Sequence, residues 1–304
     1  MVLEGNGPDR LPGLLARWRS DLAAWAIPAD IMAMAEESPW VLPRPVFTRR
    51  ADRVAAAPAG PSYERAAAAL DPPGSVLDVG AGAGAACLPL LPRCTALTAV
   101  DTEPDMLELL AERAAVAGRQ ARLVPGRWPD VASQVASADV VTCHHVVYNV
   151  PDIEPFLAAL TAAARRTVVL EMSTVHPLTS LNPLWLRFWG LVRPDRPTAD
   201  DLLAILAAMG VEAGSRRWSR PGGRDYASFA EFAELTRRRL CLPLARADEV
   251  AAALTDLGVD PRRPADLGSS GRDLVTIWWG GGEGSPTIWP EGRPAGRDDG
   301  NSAR

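Results

Sequence analysis

The sequence predicts a doubly wound α/β fold, and three observations predict it. Short β-branched runs alternate with helix-period stripes through the middle of the chain. A glycine-rich loop follows the first of those runs. At 304 residues and 47% hydrophobic, the chain can also bury the core that a parallel sheet covered on both faces demands.

The runs are Ser75–Val79, Ala96–Asp101, Ala121–Gly126, Asp139–Cys143, Thr167–Met172, Val211–Trp218 and Leu274–Trp279. Helical patterns separate the first five, Asp105–Ala117 and Ile153–Arg165 most clearly, so they read as βαβ units. Right-handed crossovers then bring the loop after each strand to one edge of the sheet.

Residues 1–60 read as a helical segment and are expected to form a lid. Leu11, Leu14, Leu15, Trp18, Leu22 and Trp25 make one apolar stripe, which Pro28 ends. Further helices are expected over Asp30–Glu37, Phe47–Ala56 and Tyr63–Leu70, with a link carrying Pro39, Pro43 and Pro45. The α/β domain spans 61–280 and carries two helical insertions, at about 177–210 and 219–272. The first has a stripe of Leu181, Leu184, Trp185, Phe188, Trp189 and Val192. A helix then starts at Thr198, with Asp201 completing a capping box and Gly210 closing it. The second has helical patterns over Phe229–Leu240 and Ala247–Leu257, and the tail, 281–304, is expected to be disordered.

Composition removes several function classes. A net charge of −5 weighs against a nucleic-acid partner, whose phosphates demand clustered positive charge. Every cationic side chain is arginine, which excludes Schiff-base and Walker-lysine chemistry. Cys87, Cys94, Cys143 and Cys241 show neither C-x-x-C nor zinc spacing and read as free thiols of a reducing compartment. With no signal-peptide pattern and no apolar run of about 20 residues, the expectation is a cytoplasmic protein without a membrane partner.

The loop Asp78-Val79-Gly80-Ala81-Gly82-Ala83-Gly84 lies where a strand ends. Glycine there permits positive φ and lets the backbone approach a ligand closely. Gly80, Gly82 and Ala85 also satisfy G-x-G-x-x-A, so a dinucleotide site competes. Asp78 separates the readings. Two residues before the first glycine a dinucleotide site has an apolar residue, and a carboxylate there would repel a pyrophosphate. It would attract a ligand bearing an ammonium and a sulfonium.

At this loop the sequence resembles the class I S-adenosylmethionine-dependent methyltransferases, with their acid-x-Gly-x-Gly-x-Gly motif and Rossmann-like sheet. The resemblance covers about Tyr63 to Met172 and the last strand. It implies an antiparallel final strand, S-adenosyl-L-methionine as cofactor, and cofactor contacts from Asp78, Gly80, Gly82 and Gly84. Asp101 and Thr102 follow at the end of the next strand, about where a ribose-binding acid is expected. Adenine contacts are implied at Gly126-Arg127-Trp128; the family often has an acid there, so Arg127 departs from the pattern. Trp128 either stacks on the adenine or packs beneath the loop.

Three histidines, His144, His145 and His176, fall at or just after the ends of the fourth and fifth strands, on the ligand-binding edge. His145, His144 and Glu171 are the candidates for general base and its orienting acid, and His144 is also a candidate cofactor contact. Strand alternation predicts that His144 and His145 do not both face the site, which disfavours a metal centre with Glu171. Glu171 orients a histidine, binds substrate or pairs with an arginine such as Arg187. Tyr148 and Asn149 are expected near the pocket. Cys143 reads as a buried apolar residue, Trp185 and Trp189 as core, and Arg216-Arg217 and Arg237-Arg238-Arg239 as solvated faces. The function read from these features is methyl transfer to a small or medium-sized organic acceptor, at oxygen, nitrogen or carbon. An RNA or protein methyltransferase, an NAD(P)-dependent oxidoreductase and a non-catalytic cofactor-binding protein are the alternatives.

Overall fold

The computed structural model describes residues 10–40, 48–49, 51–52, 54, 56–220, 226–262 and 273–281. The expected disorder of 282–304, the part of the link that carries Pro43 and Pro45, and parts of the Phe47–Ala56 helix and the second insertion lie outside these residues. The strands are β1 (Gly74–Val79), β2 (Cys94–Asp101), β3 (Ala121–Pro125), β4 (Ala138–His144), β5 (Ala164–Ser173), β6 (Gly214–Ser219) and β7 (Asp273–Gly280). They form one sheet in the order β3-β2-β1-β4-β5-β7-β6. The first five are parallel, and β7 runs antiparallel to both β5 and β6. β6 therefore points the same way as β5, and its end reaches the same edge of the sheet.

The helices are α1 (Leu11–Ala23), α2 (Ala29–Met32), α3 (Pro61–Ala69), α4 (Pro104–Val116), α5 (Ile153–Ala163), α6 (Asn182–Trp189), α7 (Ala199–Ala208), α8 (Phe229–Arg239) and α9 (Ala247–Asp256). Period-two alternation divides the strand side chains between two cores. Leu77, Val79, Val141, Cys143, Val168 and Leu170 pack with Trp18 of α1, Phe156 of α5 and Ile205 of α7. Val76, Val140 and Val169 pack with Ala66 of α3 and Leu107 and Leu110 of α4 on the other face. A third cluster, including Trp185, Phe232 and Leu254, gives the two insertions a core of their own. Trp185 and Trp189 belong to that lobe, and Trp189 Nε1 donates to the Leu240 carbonyl at 2.7 Å.

The structure corrects two expectations. After the glycine loop the chain turns through residues 82–87 and then forms a 3-10 helix, Leu88–Arg93, where an α-helix was expected. Pro89 and Pro92 lack the N–H groups that an i→i−4 ladder needs. Arg237 is not a solvated residue: it is buried and paired with Glu234 at 2.6 Å, with Glu36 and Glu37 close by. α1 lies on a sheet face, where Trp18 Nε1 donates to the Val150 carbonyl at 2.9 Å. The capping box forms as read, with Thr198 and Asp201 bonding reciprocally at the start of α7.

His176 is also a packing residue. Its ring stacks on Trp25 at 3.9 Å and meets Tyr148 edge-on, and Nδ1 accepts from the Leu178 N–H at 3.3 Å. Burial, helped by the Arg193 charge, pushes its pKa down to about 3. An unfolded imidazole protonates near pH 6.5, so between about 6.5 and 3 the unfolded chain binds the extra proton. Stability from this group is complete above that window and is lost as pH falls through it. His176→Phe keeps a stacked ring without the titration. It should flatten the dependence of stability on pH there by about 1 kcal/mol per pH unit. Urea midpoints across the window measure this, and an unchanged slope would place the acid sensitivity elsewhere.

Candidate active site

A cavity of about 1530 Å³ opens at the carboxyl ends of the strands. Gly80–Ala83 and Asp101, Thr102 and Glu103 line one part of it. Gly126, Arg127, Trp128 and Asp130 line another, and Thr142, His144, His145, Asn149 and Glu171 a third. Trp40, Ala51, Val54, Ala57, Ala59 and Gly60 bring the N-terminal segment to the same space. Tyr148, expected beside Asn149, instead packs below it and donates to the Ser173 carbonyl at 2.8 Å.

The three loop glycines do different jobs. All have positive φ, between +50° and +89°. A Cβ on Gly80 would sit 2.2 Å from a methyl of Val146, and one on Gly84 2.6 Å from Leu88, so these two permit close packing. A Cβ on Gly82 would meet nothing within 4 Å. Gly82 lines the cavity, so the space beside it is space for a ligand. Its N–H donates to Asp101 Oδ2 at 2.8 Å, while Asp101 Oδ1 accepts from Glu103 N–H at 3.0 Å. Asp101 therefore braces the loop and also faces the cavity.

Asp78 and Gly84 do not line the cavity. Asp78 is wholly buried one layer beneath, opposite Thr142 in the β1–β4 register, and Oδ1 accepts from that hydroxyl at 2.8 Å. Oδ2 has no hydrogen-bond partner among the described residues. Burial raises the pKa of this carboxyl, while His144, the Thr142 hydroxyl and the Cys87 thiol favour its charged form. Asp78 therefore acts on the cavity as a buried acid behind its wall. Trp128 is both buried in the core and exposed to the cavity edge, with Nε1 3.4 Å from the Phe156 carbonyl. Cys143 is fully buried and burial drives its thiol pKa well up, so it offers no nucleophile.

His144 and His145 both line the cavity, contrary to the alternation argument. His145 has φ +60°, outside extended geometry, so the side-to-side rule stops at His144. Its N–H donates to the Glu171 carbonyl at 2.8 Å, and its Nε2 lies 3.0 Å from Glu171 Oε1. His144 pairs with Glu171 in the β4–β5 register, and its Nε2 is buried without a hydrogen bond among the described residues. Glu171 is 4% exposed. Burial alone would raise its pKa, but His144, His145 and Arg220 outweigh it and hold the carboxyl well below the usual range. Arg187 pairs with Asp256 instead. Arg220, just past β6, donates to Glu171 Oε1 at 2.6 Å. The sequence reading missed it because β6 was placed at Val211–Trp218, and because β7, which comes later in the chain, pairs between β5 and β6, so no local pattern places the end of β6 at this edge.

Residues 76–167 match the family model described as a methyltransferase domain. Residues 76–167 therefore carry a methyltransferase domain, whose cofactor is S-adenosylmethionine. No curated protein matches this chain. Its fold is similar to that of the YcgJ protein of Bacillus subtilis, at 18% identity over 70% of this chain and 93% of that one, TM-score 0.46. It is also similar to magnesium protoporphyrin IX methyltransferase of Synechocystis PCC 6803, at 21% identity over 60% and 79%, TM-score 0.43. The methyltransferase cavity suits that cofactor on its own geometry: open space at Gly82, an acid at the end of β2, and a buried carboxylate behind the loop. Among the described residues no helix is long and apolar enough to cross a membrane.

Proposed function

We propose that this methyltransferase acts on a small or medium-sized organic acceptor, with His145 taking the acceptor's proton. The observation that carries this reading is the pairing of His145 with buried Glu171 on the wall of one deep cavity. Ligand pockets commonly run about 300–1,000 Å³, so about 1530 Å³ leaves room for an acceptor beside the cofactor. The net charge of −5 disfavours RNA.

S-adenosylmethionine supplies a methyl group already activated by a sulfonium. The chain's task is to align the acceptor, exclude water and, where the acceptor must lose a proton, receive it. Asp101 and the Gly82 backbone would hold the cofactor. An imidazole whose Nε2 faces a carboxylate carries its proton there and is basic at Nδ1. Glu171 fixes that tautomer and stabilises the imidazolium once the proton has arrived.

The N-terminal residues over the cavity would serve as its lid. Arg113 on α4 supports this: Nη1 donates to the Ala83 carbonyl in the glycine loop at 2.9 Å, and Nη2 pairs with Asp52 at 2.6 Å. Arg49 pairs with Glu231 of α8 at 2.7 Å, tying the same segment to the second insertion.

Two measurements test the proposal. S-adenosylhomocysteine should raise the melting temperature and NADH should not, because a ligand held only by the native state stabilises it. Labelled methyl from S-adenosylmethionine, supplied with a deproteinised small-molecule extract, total RNA and total protein in separate reactions, should enter the small-molecule fraction. Label in RNA or protein alone would overturn the acceptor class.

A further inference from the structure

We propose that Arg220 is a positioning residue of this site: by sharing the Glu171 carboxylate it keeps the His145 imidazole unprotonated near neutral pH, ready to accept a proton. This rests on the reading of His145 as the base. Two donors converge on one oxygen, with His145 Nε2 at 3.0 Å and Arg220 Nη2 at 2.6 Å from Glu171 Oε1. The carboxylate is buried, so water and salt screen these charges little.

The physical problem is one of balance. A lone carboxylate beside an imidazole favours the imidazolium and raises its pKa. A histidine already protonated at neutral pH cannot act as a base. An arginine cannot lose its proton at any physiological pH, so a guanidinium on the same oxygen offsets the carboxylate permanently. The resting set of Glu171, Arg220 and neutral His145 then carries no net charge and gains one positive charge when the proton arrives.

Among the described residues, the strands beside Glu171 add no permanent charge. His144 on β4 faces Glu171 and also favours its charged form, but an imidazole can lose its proton and a guanidinium cannot, and Asp78 lies beyond Thr142. On β7 the residue paired with Glu171 is Thr276, which is uncharged. Arg220 is also held in place: its guanidinium carbon lies 5.8 Å from the Trp218 ring, and Trp218 Nε1 is fixed on Thr276 Oγ1 at 3.0 Å. The cation therefore sits beside a hydrogen-bonded indole just past the end of β6.

The chain has only three histidines, so each imidazole can be followed by NMR during a pH titration of the whole protein. Arg220→Gln should raise the His145 pKa by about one unit or more, Arg220→Lys should leave it within about half a unit, and Glu171→Gln should lower it. His176 serves as an internal control that should not move. A His145 pKa unchanged within about 0.3 unit in Arg220→Gln would overturn the proposal. So would a Glu171→Gln variant in which it fails to fall, which keeps the test decisive if the first variant does not fold. The titration needs neither cofactor nor acceptor. S-adenosylhomocysteine binding by the same samples reports separately on the methyltransferase site.

Discussion

Gly82→Val is expected to abolish cofactor binding, weakening S-adenosylhomocysteine by at least about a hundredfold, or about 2.7 kcal/mol, while leaving a folded protein. The reason is where its side chain would go. A Cβ at Gly82 meets no protein atom within 4 Å, so it projects into the cavity and fills ligand space. The positive φ of +50° adds a backbone cost for any L-residue, roughly 1–2 kcal/mol. Gly82→Ala carries that backbone cost with little bulk, so the difference between the two variants isolates the steric term. Gly80→Val should behave in the opposite way. Its Cβ would collide with Val146 at 2.2 Å, so the unfolding midpoint should fall before binding can be examined. Calorimetric affinity and urea midpoints on all three variants decide the matter. A folded Gly82→Val protein with unaltered affinity would mean that the cofactor lies elsewhere.

That contrast also marks how far the sequence could be read. The motif placed three glycines at a strand end, but only packing distinguishes a ligand-facing glycine from one that admits Val146 or Leu88. The strands were legible because β1, β4 and β5 are buried on both faces and therefore appear as uninterrupted apolar runs. The 3-10 turn after the loop was less legible, since Pro89 taken alone fits the start of an α-helix, while the structure also has Pro92 inside the turn. His145 was placed at the site, but not its company with His144, because alternation holds only while the backbone stays extended. Arg220 was invisible for a topological reason. Nothing local marks a residue after an edge strand as a neighbour of Glu171, 49 positions earlier.

Asp101→Ala is expected to weaken S-adenosylhomocysteine by roughly tenfold to a hundredfold, since a hydrogen bond to a charged group contributes about 1.5–3 kcal/mol. In this fold the residue has two routes to that effect. It faces the cavity from the end of β2, where it can accept ribose hydroxyls. It also accepts the Gly82 N–H at 2.8 Å and the Glu103 N–H at 3.0 Å, which fixes the loop before any ligand arrives. Alanine removes both functions. The substitution Asp101→Asn keeps one oxygen that can still accept the Gly82 N–H but loses the charge. If bracing dominates, the asparagine variant should bind nearly as well as the parent. If the charged acceptor dominates, asparagine should fall most of the way to alanine. Glu103 and the loop backbone should hold the fold in either case, because Asp101 lies at the sheet edge and outside the three apolar clusters. Calorimetry on the two variants separates the routes. A folded alanine variant with parental affinity would reduce Asp101 to a loop brace that the cofactor does not need.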